Sequence, residues 1–384
     1  MSLSFENKPA LSLRRAIAAW CMAGAVLQAP QVLAADAAVA ADAGADNSLD
    51  EVIVTGSRQT GIKASDSAAP IQIVSTEALK QSGAPDLMSA LSQLVPSLQM
   101  QAFGFDMAGQ TLQARLRGVS PNDVLILVNG KRRHNTANLA VDTGSPYQGG
   151  AAPDLNFIPL DAIDHVEVLT DGAAAQYGTD AIAGVVNIIL KKNNSGGAVQ
   201  GTYGQYGNSG GRTEDVSGNA GFGMGSGGFF SLTGEFRSHG HSNVGEPDPR
   251  GPQATTYPDT NIKNVPGYPY ENAISGDGAV RMKLFSINSG YDFEDGTEVY
   301  AFGTYGHKDA ASYENYRVPS KVQYTDPTTL VTTYPFPYGF NPQEASDEDD
   351  YQINIGVKGS ILGWDWDFGT GYGYDHVGVS TIDS

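Results

Sequence analysis

The chain has 384 residues, with 23 Lys and Arg against 42 Asp and Glu, for a formal net charge of −19. That balance argues against a nucleic-acid partner, because binding phosphate needs a basic face. Charged residues are only 17% while Gly supplies 47 residues and Tyr 18, a mix suited to many strands with tight turns rather than to a helical enzyme.

The N-terminus reads as an export signal over residues 1–34. Arg14 and Arg15 form a basic start, Ala16 to Leu27 an apolar stretch, and Val32-Leu33-Ala34 a cleavage site after Ala34. The apolar stretch is shorter than the roughly 20 residues that a spanning helix needs. The single cysteine, Cys21, lies inside this signal behind Trp20, so disulfides and cysteine-based metal sites are excluded from the mature chain. No later segment is apolar enough for a spanning helix, so any membrane crossing uses strands.

Residues 35–58 form a flexible lead of small and polar residues that ends in a β-prone run, 49–58. Residues 59–193 read as a compact α+β domain. Its continuous apolar runs, Val124 to Val128 and Val185 to Leu190, have the pattern of fully buried strands. Two short helices are predicted near its start. One covers Thr76 to Gln81, with Thr76 as a possible N-cap and Gly83 as the stop; the other covers Asp86 to Leu94 and ends before Pro96.

From residue 194 to 384 the period changes to two. Tyr351, Ile353, Ile355 and Val357 alternate with Gln352, Asn354, Gly356 and Lys358. Phe285, Ile287, Tyr291 and Phe293 oppose Ser286, Asn288, Gly290 and Asp292 in the same way, and Trp364, Trp366, Phe368, Tyr372 and Tyr374 oppose Asp365, Asp367, Gly369, Gly371, Gly373 and Asp375. Strands are expected near 197–206, 213–223, 228–238, 280–293, 297–308, 350–360 and 363–377. Alternation alone fits either a transmembrane barrel or a soluble sandwich. The connections favour the barrel, because short turns alternate with long segments at 239–279 and 309–349. Seven strands do not close a bacterial barrel, so the chain reads as the opening part of a longer one.

Several matches to chemical motifs are set aside. Gly207-Asn208-Ser209-Gly210-Gly211 has the letters of a nucleophile elbow without the strand and helix that one requires. Gly223, Gly225 and Gly228 have phosphate-loop spacing with no following helix. His239 and His241, with Glu246 and Asp248, and the acidic run Asp347 to Asp350 are read as solvated loops. No metal or cofactor set is expected.

Longer motifs carry a family resemblance. Asp50, Glu51, Val52, Ile53, Val54 and Thr55 resemble the TonB box of TonB-dependent outer-membrane receptors, a β-prone segment that can add to a partner's sheet edge. By itself this run could also be the first strand of the next domain. Arg117-Gly118-Val119, the strand Val124 to Val128 and Asn129-Gly130-Lys131-Arg132-Arg133 resemble the plug domain of that family. So do Ile158 to Leu169, which includes Glu167, and Asp171 to Ile189, which includes Tyr177, Gly178 and Gly184. Asn129 and Ala183 depart from the family's usual Asp and Gly. The signature residues Arg117, Gly118, Gly130, Glu167, Tyr177, Gly178 and Gly184 read as determinants of the fold.

The resemblance implies an α+β plug followed by an antiparallel transmembrane β-barrel of about 22 strands, in the outer membrane of a Gram-negative bacterium. It implies TonB, with its inner-membrane energising complex, and outer-membrane lipid as partners. It also implies a small ligand such as a metal chelate, with an iron–siderophore as the default. Lys131, Arg132, Arg133, His134 and Tyr147 are the candidate ligand contacts at the plug apex. No catalytic residue is expected. The rival reading is a surface binding protein without transport, or a decayed receptor fragment.

Overall fold

The computed structural model describes residues 53–54, 62–63, 71–101, 107–139, 149–170, 177–207, 210–246, 274–336 and 339–382. All lie in one compact unit, Glu51–Ser384. Residues 1–34, expected to be an export signal, most of the lead, Tyr147 and segment 171–176 fall outside the described residues.

Two short strands, β1 (Ile53–Val54) and β2 (Ile62–Lys63), pair antiparallel. The first domain then contributes β3 (Ile71–Ser75), β4 (Leu98–Gln101), β5 (Gln113–Leu116), β6 (Val124–Val128), β7 (Lys131–Arg132), β8 (Ile163–Leu169) and β9 (Gly184–Leu190). β4 and β5 form a separate hairpin, and the others make one sheet in the order β3-β8-β9-β6-β7. The two apolar runs, β6 and β9, lie side by side and parallel near its centre. Both are buried along their whole length, as expected of strands covered on both faces. Alternate residues divide between the faces. Val124, Ile126 and Val128 join one core cluster with Leu87, Leu91 and Leu155, while Leu125 and Leu127 join a second with Val185.

The helices Thr76–Gln81 and Leu87–Leu94 cover the first face. The cap of the first helix is Ser75, whose Oγ accepts from Ala78 N at 3.2 Å, and not Thr76. Thr76 is buried instead, and its hydroxyl donates to Ile163 O at 2.7 Å, tying the helix to β8. Asp86 caps the second helix by accepting from Ser89 N at 2.7 Å. Gly83 ends the first helix at φ +67°.

The second part is a seven-stranded antiparallel meander: β10 (Gly197–Tyr206), β11 (Gly210–Met224), β12 (Gly228–His239), β13 (Ala279–Asp292), β14 (Glu298–Tyr313), β17 (Gln343–Ile361) and β18 (Trp364–Ile382). A small hairpin, β15 (Tyr324–Thr325) and β16 (Thr332–Thr333), sits in the connection between β14 and β17. All seven expected strands are present. β14 and β17 run further than the alternation suggested, so the expected 309–349 loop shrinks to 314–342, and the acidic run Asp347 to Asp350 is strand rather than loop.

Burial decides between barrel and sandwich. Ile353 and Ile355 are 46% and 50% exposed while Gln352 and Asn354 are 7% and 6%. The same inversion holds for Phe285 against Ser286. A soluble sandwich buries its apolar parity; this sheet turns it outward and keeps polar residues inside, as a transmembrane barrel wall does.

The band has edges. Registers across β13, β14, β17 and β18 align Phe285, Tyr305, Tyr351 and Tyr374 in one row. At the short-turn end, Tyr291, Phe293, Trp364 and Trp366 mark the other edge. From Trp364 to Tyr374 the strand rises roughly 33 Å at about 3.3 Å per residue. Tilted by about 40°, that is a band of about 25 Å, the height of an outer-membrane hydrocarbon layer. Among the described residues no helix is long and apolar enough to cross a membrane.

Candidate functional site

The concave, polar face of the meander holds the first domain, and β17 shows how. Its inward residues meet that domain in sequence from the short-turn end toward the long connections. Gln352 Nε2 donates to Arg132 O at 2.8 Å, and its Oε1 accepts from His134 N at 3.1 Å. Asp350 pairs with Arg133, whose Nη1 also donates to Thr304 at 2.9 Å. Glu348 accepts from Thr136 at 3.4 Å and pairs with Lys308 at 2.6 Å. Ser346 donates to Gln110, whose Nε2 donates to Glu344 O at 2.9 Å.

Lys308 is the centre of this seat. Its side chain is fully buried and pairs with Glu348 on the wall and with Asp154 on the first domain at 2.7 Å. It also donates to Gln110 O at 2.9 Å and lies 4.9 Å from the Phe157 ring centre. A second anchor is Arg237, 4% exposed, which donates to Pro85 O at 2.8 Å and to Asn156 O at 3.3 Å. A third is Asp161, which pairs with Lys80 at 2.5 Å and accepts from Ser217 on β11. Burial works to raise the Asp161 pKa, but the bonds from Lys80 and Ser217 outweigh it and hold the carboxyl below its ordinary value. Sequence reasoning missed Lys308, Asp154, Glu348 and Arg237. The available signal was parity: Lys308 continues the inward positions of Phe302 and Thr304, and Glu348 those of Gln352 and Asn354.

The signature residues take structural places. Asn129 and Gly130 both have positive φ, +48° and +75°, so they form the tight hairpin between β6 and β7. Asn129 Oδ1 also accepts from Leu190 N at 2.9 Å, and its Nδ2 donates to Asn288 on the wall at 3.2 Å. Arg117 and Gly118 follow β5 at φ +55° and +74°, with Arg117 Nη1 donating to Thr170 O at 2.7 Å. Gly184 has φ +141°, and a Cβ there would collide with Leu169 O and the Leu116 side chain. Gly178 has φ +87°. Glu167 is fully buried, accepts from Asn187 Nδ2 at 2.8 Å and faces His165 Nε2 at 3.5 Å. Burial opposes charge on His165, but its bonds to Asp164 and Glu167 prevail and push its pKa up to about 9. Burial, and then the charge on Glu167, raise the Tyr177 hydroxyl above its ordinary value.

The basic strip Lys131 to His134 is engaged by the protein itself. Lys131 pairs with Asp367 at 2.7 Å near the short-turn end, Arg132 pairs with Asp180, and Arg133 is buried on Asp350. Burial acts to lower the Lys131 pKa, while Asp367 and Tyr300 raise it to a net increase. Two of these pairs, Lys131–Asp367 and Arg133–Asp350, reach the wall, and Lys131 to His134 together line a cavity of about 370 Å³ with Tyr300, Gln352 and Tyr372. Of the residues expected to form the TonB box, Ile53 and Val54 form β1, paired with Lys63 and Ile62; Asp50, Glu51, Val52 and Thr55 lie outside the described residues.

At the long-connection end a cavity of about 470 Å³ lies between the first domain and the wall, lined among others by Asp86, Gln93, Gln110, Tyr206, His239 and Asp277. His239 faces Asp277 at 3.4 Å and Thr213 at 2.8 Å, while the His241 ring lies tilted against Tyr313, so the two histidines do not converge on one ion. Gly225, with φ +63°, sits in the turn between β11 and β12. Among the described residues, one group of metal-type side chains comes together, His307, Asp347 and Asp349, on the outward face of the sheet.

Comparison with known proteins agrees with this architecture. Residues 63–185 match the TonB-dependent Receptor Plug Domain. The chain is 32% identical over 145 residues to the vitamin B12 transporter BtuB of Photobacterium profundum, covering 38% of this chain and 21% of that protein. It is 43% identical over 94 residues to the probable TonB-dependent siderophore receptor PirA of Acinetobacter baumannii, covering 24% and 12%. The chain thus spans about a fifth or less of these relatives. The fold resembles the crystal structure of the siderophore receptor PirA from Acinetobacter baumannii, with a TM-score of 0.50 at 18% identity over 83% of this chain and 45% of that one. It likewise resembles the ferric enterobactin receptor of Pseudomonas aeruginosa, with a TM-score of 0.50 at 15% identity over 78% and 44%. The plug match, the buried polar seat and the inside-out sheet agree: residues 63–185 are a TonB-dependent receptor plug domain, and they are followed by seven antiparallel strands folded like the barrel wall of the siderophore receptors.

Proposed function

We propose that this chain serves energised uptake of a scarce ligand across the outer membrane, with a siderophore-type iron chelate as the cargo. The observation that carries this reading is the plug seated by buried ion pairs against the inner face of a lipid-facing wall. A surface adhesin has no use for such a plug. The relatives' names add siderophores and vitamin B12 as the cargo classes to try first. No covalent chemistry is required, so the chain is read as a transporter and not an enzyme.

TonB is the partner from the periplasmic side, and Asp50 to Thr55 is its docking segment. The two-residue ladder between β1 and β2 supports this. So short a pairing is easily exchanged for a longer one on a partner's sheet edge. The ligand enters from the long-connection end, where the 470 Å³ cavity opens. Lys131, Arg132, Arg133 and His134 then act chiefly in seating the plug, and Tyr147 remains a candidate for ligand contact.

The test is uptake of a radio-iron-loaded catecholate siderophore in a strain whose only receptor is this one. Val52→Pro removes a backbone donor from the docking segment. Uptake should fall to background while surface binding persists. Transport by the Pro variant at the unaltered rate would overturn the TonB docking assignment. Failure of the unaltered receptor to bind the chelate would overturn the cargo.

A further inference from the structure

The outward face changes character across one row. Phe285, Tyr305, Tyr351 and Tyr374 close the apolar band, and the next row toward the long connections reads Lys283, His307, Asp349 and His376. The row beyond reads Arg281, Asp309, Asp347 and Gly378. These two rows sit just past an aromatic girdle, at the level where lipid headgroups lie.

Charge within the rows is segregated by strand. The carboxylates Asp309, Asp347 and Asp349 gather around His307, with His307 Nδ1 at 3.1 Å from Asp349 and Nε2 at 3.7 Å from Asp309. The cations stand apart on β13. Arg281 and Lys283 are both exposed, and among the described residues neither makes an ion pair, although Asp309 lies directly opposite Arg281 in the ladder. Arg212 is the contrast: it is committed to Glu214 and lies over the Tyr203 ring. In a chain of net charge −19, two uncommitted cations on one face of one strand, about 7 Å apart, form a distinct feature. Their β12 neighbours across the ladder are Ser238 and Phe236, and Phe285 lies below Lys283.

We propose that Arg281 and Lys283 seat the phosphate of an anionic lipid headgroup in the leaflet on the long-connection side. The two side chains supply the charge, the Ser238 hydroxyl a further donor, and Phe236 and Phe285 the apolar surface on which the lipid's acyl chain continues. Lipid rather than free phosphate is indicated because the seat is continuous with the apolar band and faces outward, away from the plug. The carboxylates one and two strands away confine the headgroup to β13 and β12, since they repel it.

The experiment is native mass spectrometry of the full protein purified from outer membranes in mild detergent and titrated with phosphorylated lipid A. Arg281→Ala with Lys283→Ala should weaken binding roughly 25-fold, the effect of two basic residues at an anionic lipid surface. Dephosphorylated lipid A should bind comparably weakly to both forms. Arg281→Lys with Lys283→Arg should retain binding, and Asp347→Asn with Asp349→Asn should leave it unchanged or raise it. Unaltered binding by the double alanine variant would overturn the seat. Loss of binding in the double asparagine variant would replace direct contact with a cation bridge, and efficient competition by inorganic phosphate would replace the lipid with a free anion; either result refutes the proposal. If the alanine pair fails to assemble, the Gln pair at the same positions gives the same reading.

Discussion

Replacing Lys308 by Met should loosen the plug without unfolding the wall. Lys308 is fully buried and is the cation shared by Asp154 and Glu348 at 2.7 and 2.6 Å. Without it two carboxylates face each other out of water. Asp154 keeps its bonds from Leu112 N at 3.1 Å and Asn156 N at 2.9 Å, and Glu348 keeps Thr136 at 3.4 Å, but no charge compensates either at the vacated position. Breaking one partner out of a buried ion pair costs about 3–5 kcal/mol. At about 1.4 kcal/mol per decade, opening of the 107–139 segment should become roughly a hundred- to a few-thousand-fold more frequent. Hydrogen exchange on the detergent-solubilised receptor reads this directly, because local opening sets the exchange rate. Adding Asp154→Asn and Glu348→Gln to Lys308→Met should restore exchange to near the starting rate, since neutral isosteres remove the stranded charges. A single-variant change below tenfold, or a triple variant no slower than the single one, would refute the claim that this triad seats the plug.

Three further outcomes are expected. Gly184→Ala should destabilise the plug by about 3 kcal/mol or more, because the new Cβ meets Leu169 O and Leu116 in a backbone conformation that Ala avoids; chemical denaturation of the receptor measures it. His165, held near pKa 9 against an ordinary 6.5, stabilises the plug fully below about pH 6.5, and that contribution is lost as pH rises through 9. At 1.36 kcal/mol per unit the upper bound is about 3 kcal/mol, and screening at its partly open rim reduces it to about 1–2 kcal/mol; His165→Gln should flatten stability between pH 6.5 and 9. On the outward face, Ile355→Lys should cost about 2–4 kcal/mol near the middle of the band, while Asp347→Lys beyond the girdle should cost about 0–1 kcal/mol; heat-modified mobility after refolding into lipid compares them.

Much of this architecture follows from local pattern. The apolar runs Val124 to Val128 and Val185 to Leu190 have the pattern of fully buried strands, and Gly130 after the first run suits a tight hairpin. The period of two in 351–358 and 364–376 places apolar and polar residues on opposite faces whatever surrounds the strand. Which face meets water was not legible there. Alternation reads the same in a sandwich and in a membrane barrel, and only the burial of Gln352 and Asn354 beside exposed Ile353 and Ile355 separates them.

The polar seat was hidden for a related reason. Asp347 to Asp350 has poor strand propensity, which by itself favours a solvated loop. Tertiary contact overrides that preference, because Glu348 and Asp350 find Lys308 and Arg133. These partners are distant in sequence, Asp154 from Lys308 and Arg133 from Asp350, and no spacing rule links them. Sequence alone determined that the strands and turns exist and which residues share a face, because those depend on neighbours one to four residues away. Only the tertiary structure decided which inward charges meet, because a buried ion pair exists only where two remote segments are brought within a few ångströms and sealed from water.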